Sequence, residues 1–252
     1  GLTPSEAEEW VKTNMTAVFP LGVKKDVESP LQHPPFGNPT FDTGKLMEAI
    51  EGVSEKAPRF CSGFPTVWPT DDIAIKFAGA GGDGAQTAAL LVARAGINEG
   101  FDATHIPSYG PESRGGTSYA DVHIAKDEVL SPSSPAPHVL LAFNAPSLAK
   151  FGPTVVPGGT IVYDSSVIVD VPPLAADVKA FGVPLTKIAA ELGRPVVKNV
   201  VAIGALQAAT GLFPEETFLT AIRQALKSKC AMIPLNEEAF ARGAEAVRNS
   251  ES

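Results

Sequence analysis

A glycine-rich stretch at positions 77–86, Phe-Ala-Gly-Ala-Gly-Gly-Asp-Gly-Ala-Gln, is the part of this sequence that points most directly to chemistry. An apolar run at 73–77 leads into it, and a run of good helix formers follows at 87–95. A strand, a glycine turn and a helix start in this order present backbone N–H groups and the positive end of the helix dipole. Because those groups attract anions, the stretch predicts a site for an anionic ligand.

The glycines of this loop are expected to have separate roles. Gly79 is expected to permit the tight turn, because glycine adopts backbone angles that other residues avoid. Gly81 and Gly82 are expected to let a ligand approach the backbone, and Gly84 to let the helix pack closely on the strand. The residues predicted to contact a bound group here are Gly79, Gly81, Gly82, Asp83, Gly84 and Ala85.

A second loop, at 107–116, reads Pro-Ser-Tyr-Gly-Pro-Glu-Ser-Arg-Gly-Gly. It follows the predicted second strand, so we expect it at the same carboxyl edge of the sheet as the glycine loop. It is either an ordinary surface loop with a weak Glu112–Arg114 ion pair, or part of a ligand site or an interface. The predicted contact residues of this loop are Ser108, Tyr109, Arg114, Gly115 and Gly116.

Three common cofactor signatures are incomplete. A nicotinamide site requires an acidic residue at the end of the second strand, where positions 104–107 read Thr-His-Ile-Pro. Residues 82–84, Gly-Asp-Gly, are similar to the start of a thiamine diphosphate and Mg²⁺ motif, but the Asn that completes such a motif is missing from 109–114. No phosphate-loop lysine follows the glycines, which argues against ATP hydrolysis.

The composition argues against several classes of partner, metal site and cellular location. The 252 residues carry 20 basic and 28 acidic side chains, a net charge of −8, which argues against nucleic acid or an anionic membrane as the main partner. Two distant cysteines and four scattered histidines form no metal-binding spacing, and the histidines are expected to be structural or on the surface. The sequence has neither a long apolar run nor a signal-peptide pattern, so we expect a cytoplasmic location. Because it begins at Gly1, we expect a processed product or a piece of a longer polypeptide.

The chain divides into two parts by pattern. Residues 1–70 contain nine of the 23 prolines and are predicted to form an arm, linker or fusion joint. Residues 71–252 alternate strand and helix patterns and become mostly helical in the last third. They predict an α/β three-layer sandwich with a mostly parallel, Rossmann-like sheet. The predicted strands are 73–78, 102–106, a half-buried 117–125, 138–143 and 160–163, and the main predicted helices are 84–95, 147–151, 186–192, 199–210, 214–228 and 234–247.

Taken with several further blocks, the two loops make the chain similar to a known family. The sequence resembles the gamma subunit, or gamma domain, of 2-oxoacid:ferredoxin oxidoreductases of the pyruvate and 2-oxoglutarate type. The resemblance covers about residues 72–247 and leaves 1–70 outside. The further matching blocks are 157–160 with 163–166, 183–193, 198–205 and 234–240.

This resemblance implies a division of labour. Enzymes of this family decarboxylate a 2-oxoacid on thiamine diphosphate, pass electrons through iron–sulfur clusters to ferredoxin and usually transfer the acyl group to coenzyme A. It implies that thiamine diphosphate with Mg²⁺ and the [4Fe–4S] clusters belong to alpha, beta and delta-type partner subunits or domains. This chain would close over the active site and help to bind coenzyme A, with the pyrophosphate at 81–85 and Arg114. No catalytic residue and no metal ligand is expected on it.

Two alternatives stay open. The chain could be a purely structural assembly subunit whose glycine loop is empty. It could also be a free-standing nucleotide-binding protein, which binding of NAD or FAD to the isolated chain would indicate. Which 2-oxoacid is used does not follow from the sequence.

Overall fold

A six-stranded sheet organises the chain, in the order β2-β3-β1-β4-β5-β6. The computed structural model describes residues 62–109 and 117–250. Strands β1, β4, β5 and β6 pair in parallel, whereas β3 runs antiparallel to both β1 and β2. Five strands therefore share one direction, which confirms the mostly parallel sheet. The strands are β1 (Asp72–Ala80), β2 (Asp102–Tyr109), β3 (Thr117–Ala125), β4 (Val139–Ala142), β5 (Thr160–Asp164) and β6 (Lys179–Val183).

Helices cover both faces of this sheet, which gives the predicted three layers. Helices α1, α4 and α6 pack on one face, and the short α2 packs on the other against β1 and β4. The helical C-terminal part is confirmed. The helices are α1 (Ala85–Asn98), α2 (Ala145–Phe151), α3 (Leu185–Glu191), α4 (Lys198–Thr210), α5 (Glu215–Ala225) and α6 (Ile233–Ser250).

The core follows from the alternation of side chains along β1. Ile73, Ile75 and Phe77 are fully buried on the face that carries α1 and α4. Ala78 belongs to a smaller apolar cluster on the other face, beneath α2. A strand that is buried on both faces is expected in the centre of a parallel sheet.

The closest helix contact joins α4 to α6 through two glycines. A Cβ atom on Gly204 would lie 2.0 Å from the carbonyl oxygen of Phe240, and one on Gly243 would lie 2.0 Å from that of Val201. Neither position has room for a side chain, so the two helix backbones meet directly. This contact holds the start of α4 in place beside the glycine loop.

Besides shifts of a few residues at the ends of elements, the strands differ from the prediction in three respects. Strand β2 continues through Pro107 to Tyr109, because proline is tolerated on an edge strand. Strand β3 is almost wholly buried and not half-buried, since β1 and β2 flank it and α1 covers it. Strand β6 was not predicted at all.

The predicted arm at 1–70 lies, as far as residue 61, outside the described residues. Residues 62–70, predicted as part of the arm, pack on the sheet domain: Trp68 is buried and its indole N–H donates to the carbonyl of Gly158 at 3.1 Å. In the described ranges, none of the helices has both the length and the apolar character needed to cross a bilayer.

Candidate functional site

The glycine loop joins the carboxyl end of β1 to the start of α1. The N–H of Asp83 donates to the carbonyl of Ala80 at 3.1 Å and closes a turn. Gly82 and Gly84 have φ angles of 101° and 88°, in the left-handed region that favours glycine. Residues 81–84 therefore form the turn, and the first helical residue is Ala85.

Two of the predicted glycine roles need correction. Gly79 lies inside β1 and not in the turn, and a Cβ atom there would lie 2.9 Å from Oδ2 of Asp83 and 3.0 Å from Cβ of Phe143. Gly84 permits a close approach to α4 and not to a strand, because its Cβ would lie 2.9 Å from Cβ of Asn199. Both glycines make room for neighbouring side chains.

The predicted role of Gly81 and Gly82 agrees with the space around them. A Cβ atom at either position would meet nothing within 4 Å. Both residues are exposed. Open space over two glycines leaves the backbone of the loop accessible to a ligand.

The Asp83 carboxylate stabilises this turn through two polar contacts. Its Oδ2 accepts the backbone N–H of Ala80 at 2.7 Å, and its Oδ1 accepts the Lys198 ammonium at 2.8 Å. Lys198 is the first residue of α4, and its Nζ also lies 5.5 Å from the ring centroid of Phe143. The side chains of Lys198 and Asp83 are 15% and 22% exposed, so solvent screens this ion pair only in part.

The first backbone N–H groups of α1 have no hydrogen-bond acceptor within the helix. Gly84 provides no side-chain cap, and the first turn of the helix contains no acidic residue. Within the described residues, the N–H groups of Ala85, Gln86 and Thr87 have no hydrogen-bond acceptor. Such amides, at the positive end of a 14-residue helix, favour an anion.

These amides face a cleft of about 600 Å³ between the starts of α1 and α4. Val196, on the α4 side, is 70% exposed and adds an apolar wall opposite the polar loop. The cleft can thus take a ligand with an anionic part and an apolar part. The described residues that line it are Ala80, Gly81, Gly82, Asp83, Gly84, Ala85, Gln86, Thr87, Ser118, Pro195, Val196 and Asn199.

Gln86 connects this cleft to the ends of β2 and β3. Its side-chain N–H₂ donates to the carbonyl of Tyr119 at 2.8 Å and to Oγ of Ser118 at 3.1 Å. Its Oε1 is buried and has no partner among the described residues.

The two predicted loops start from one edge of the sheet, as expected. Ala80 pairs with Thr117, and Tyr109 pairs with Ser118, so the strand ends lie side by side. Ser108 and Tyr109 are the last residues of β2. Arg114, Gly115 and Gly116 lie outside the described residues.

Sequence reasoning missed the side of the cleft formed by Pro195, Val196 and Asn199, and the lysine behind it. Lys198 and Asp83 are 115 positions apart, a separation that no local pattern connects. The block at 198–205 contributes to the family resemblance, but no site residue is predicted in it. The Pro-Val-Val sequence at 195–197 lies directly before a helix, but it carries no specific chemistry that could have served as a signal.

A second group of polar residues has distances like those of a catalytic triad. Nδ1 of His123 lies 2.8 Å from Oδ1 of Asp72, and Nε2 lies 2.6 Å from Oγ of Ser134. Ser134 is only 2% exposed, so its hydroxyl is not accessible to a substrate. The group joins the loop before β4 to the sheet, and the buried position of His123 agrees with the expected structural role.

Metal ligation finds no support in the described ranges. Neither 62–109 nor 117–250 contains three or more His, Cys, Asp or Glu side chains grouped so that they could hold a metal ion. Asp83, the acidic residue of the Gly-Asp-Gly sequence, already binds Ala80 and Lys198.

Comparison with known proteins gives one consistent family. The model of the pyruvate ferredoxin/flavodoxin oxidoreductase family matches residues 74–246. The ketoisovalerate oxidoreductase subunit VorA of Methanothermobacter thermautotrophicus is 38% identical over 251 residues, which cover 97% of this chain and 50% of that protein. This alignment therefore includes most of residues 1–70. The 2-oxoglutarate synthase subunit KorC of Archaeoglobus fulgidus is 36% identical over 146 residues, 58% of this chain and 74% of the relative.

Solved structures agree with this result. The gamma subunit of a keto/oxoacid ferredoxin oxidoreductase from Geobacter sulfurreducens is 32% identical, with a TM-score of 0.59 over 70% of this chain and 99% of that one. A 2-oxoglutarate:ferredoxin oxidoreductase from Magnetococcus marinus shares the fold at 24% identity, with a TM-score of 0.65 over 71% of this chain and 32% of that one. The chain spans about half the length of the ketoisovalerate oxidoreductase subunits that it matches.

Proposed function

We propose that this chain, which belongs to the pyruvate ferredoxin/flavodoxin oxidoreductase family, is the gamma component of a 2-oxoacid:ferredoxin oxidoreductase. The complete enzyme would oxidatively decarboxylate a 2-oxoacid, transfer the acyl group to coenzyme A and pass the electrons to ferredoxin. Alpha, beta and delta-type subunits or domains would be its partners. The chain itself would contribute binding and closure, and none of its residues is assigned as a nucleophile or a base.

Thiamine diphosphate would belong to a partner. The group binds together with Mg²⁺, and the Gly-Asp-Gly sequence at 82–84 would have to supply the Asp as a metal ligand. Both carboxylate oxygens of Asp83 are already engaged, one by a backbone amide and one by the Lys198 ammonium. The residues present therefore do not fit thiamine diphosphate, and no step of the reaction is derived through it on this chain.

Coenzyme A is the ligand that the cleft supports best. The observation that supports this proposal is the set of N–H groups at the start of α1 that have no acceptor among the described residues, beside an exposed apolar wall at Val196. Pyrophosphate oxygens would accept from the amides, and an apolar part of the ligand would pack on Val196. The Magnetococcus marinus enzyme, which shares the fold, is described with 2-oxoglutarate, coenzyme A and succinyl-CoA bound.

Arg114 is proposed as the second anion contact, from the loop at 107–116. A guanidinium offers five N–H donors and a permanent charge to a phosphate or to a carboxylate of a partner subunit. In the assembled enzyme, Arg114→Ala is expected to raise KM for coenzyme A or to weaken assembly while the chain stays folded. Arg94→Ala, which removes an exposed arginine in the middle of α1, is the matched control. Unchanged kinetics and assembly in the Arg114 variant would refute the assignment.

The assembly alternative predicts a different result at the glycines. If the loop is empty and serves only packing, Gly81→Ala and Gly82→Ala should change subunit affinity but not the KM for coenzyme A. If the loop holds coenzyme A, KM should rise, because each added methyl group would enter the open space above the loop. Direct binding of NAD or FAD to the isolated chain would instead favour the free-standing nucleotide-binding protein.

A tagged pull-down from the native cells is the first test of the whole proposal. Brown co-purifying subunits, with coenzyme A-dependent viologen reduction, would establish the gamma component. A colourless, solitary protein would contradict it. Ketoisovalerate is the first 2-oxoacid to assay, because the relatives named for it align over nearly the entire chain, with 2-oxoglutarate and pyruvate as the comparisons.

A further inference from the structure

The charge of the cleft conflicts with an anionic ligand. Among the described residues that line it, the only one with a formal charge is Asp83, and that charge is negative. Its side chain is 22% exposed. A carboxylate in this position would repel a phosphate group unless a cation offset it.

Lys198 supplies that cation from outside the cleft. Its ammonium donates to Oδ1 of Asp83 at 2.8 Å, yet Lys198 is not among the described residues that line the cleft. The contact that the structure gives this ammonium at the glycine loop is therefore with Asp83. Gly79 permits this arrangement, because any Cβ atom there would overlap Oδ2 of Asp83.

We propose that Lys198 is a positioning residue that neutralises Asp83 and so makes the glycine loop competent to bind an anion of the pyrophosphate class. The inference rests on the proposed function of the same cleft. With the ion pair formed, Asp83 keeps its structural bond to the N–H of Ala80 while its charge is cancelled. The amides of α1 then dominate the local field.

A double-mutant cycle on the full chain tests this role, with inorganic pyrophosphate as the probe and isothermal titration calorimetry as the measurement. Lys198→Met leaves Asp83 uncompensated, and pyrophosphate should bind at least about tenfold more weakly, as expected for a unit charge ~6 Å away at an effective dielectric constant of ~40. Asp83→Asn combined with Lys198→Met removes both charges. The affinity of the double variant for pyrophosphate should return to within about threefold of that of the unaltered chain. The reason is that the neutral Asn–Met pair has the same net charge, zero, as the Asp83–Lys198 ion pair.

The control is a lysine–aspartate pair at the opposite edge of the sheet. Lys126 directly follows β3, Asp71 directly precedes β1, and the Lys126 ammonium lies 3.9 Å from Oδ1 of Asp71. Lys126→Met therefore removes the same charge at the end of β1 that is far from the glycine loop. It should leave pyrophosphate affinity unchanged. Far-ultraviolet circular dichroism checks that every variant keeps its helices.

The outcomes separate the two proposals. If the unaltered chain binds pyrophosphate and Lys198→Met binds it equally well, the role of Lys198 is overturned and the proposed function stands. If the double variant stays as weak as Lys198→Met, the lysine contacts the anion directly and the neutralising role is wrong. If the unaltered chain binds neither pyrophosphate nor coenzyme A, the anion site itself is wrong, and with it the inference.

Discussion

Alanine substitutions at Gly81, Gly82 and Gly84 should have sharply graded effects on stability, although the three residues lie within one turn. A Cβ atom at Gly81 meets no atom within 4 Å, and the backbone there does not have a positive φ. Gly81→Ala should therefore be neutral or stabilise the fold by up to about 1 kcal/mol, because alanine restricts the unfolded chain. Gly82 has the same open space but a φ of 101°, so Gly82→Ala should cost about 1–2 kcal/mol of backbone strain.

Gly84→Ala should be the most damaging of the three. It combines a φ of 88° with a Cβ atom 2.9 Å from Cβ of Asn199, which is on a buried helix. Backbone strain of about 1–2 kcal/mol and overpacking of about 1–3 kcal/mol predict a loss of about 2–5 kcal/mol in the free energy of unfolding. Because the overlap is with α4, the loss measures how tightly the glycine loop is held against that helix.

Urea unfolding followed by circular dichroism at 222 nm gives the three differences in free energy. The expected order of destabilisation is Gly84→Ala, then Gly82→Ala, then Gly81→Ala. Equal losses at Gly81 and Gly84, or a neutral Gly84→Ala, would refute the packing of the loop against Asn199. A parallel measurement of the KM for coenzyme A separates ligand contact from stability at Gly81, where only the former should change.

The remaining predictions concern buried polar groups. Lys76 and Asp121 form an ion pair across β1 and β3, with 4% and 6% exposure, so Lys76→Met should cost about 3–5 kcal/mol by leaving a buried carboxylate unpaired. Adding Asp121→Leu should recover part of that loss, and a single variant as stable as the unaltered chain in urea would contradict the prediction. Burial lowers the pKa of His138 from its ordinary 6.5, against the opposing effect of Asp72, and its Nδ1 accepts the N–H of Ala74. The unfolded chain therefore binds more protons below pH 6.5, and stability should fall as the pH drops through that value. Urea midpoints between about pH 5 and 8 should show a smaller slope in His138→Asn than in the unaltered chain, and equal slopes would refute this assignment.

Much of the architecture could be predicted because local patterns decided it. The apolar run before the glycines became β1, and the helix formers after them became α1. Asn144 and the proline after the first residue of α2 start that helix as a local signal should, with the Asn144 side chain accepting the N–H of Ser147 at 2.9 Å. In each case the information lies within a few residues of the element.

The predicted elements were wrong where strand pairing or tertiary packing outweighs local propensity. Strand β6 (Lys179–Val183) contains a glycine and buries only its last residue, so its sequence has no strand signal. Pairing with β5 at the edge of the sheet creates this strand. The helix predicted to end at residue 95 continues through Gly96 to Asn98, and a Cβ atom on Gly96 would be 3.1 Å from the side chain of Ile124. A glycine that serves tertiary packing looks in the sequence like one that ends a helix.

Residue patterns alone were enough to predict a glycine turn between a buried strand and a helix, and a resemblance to one family over most of the chain. The position of β3 between β1 and β2, and the approach of Lys198 and Val196 to the glycine loop, came from long-range packing. Residue patterns are limited to short range, because turn geometry and helix propensity act over a few residues. The charge balance of the cleft, by contrast, depends on an ion pair between residues 115 positions apart, which packing of α4 against α6 holds in place.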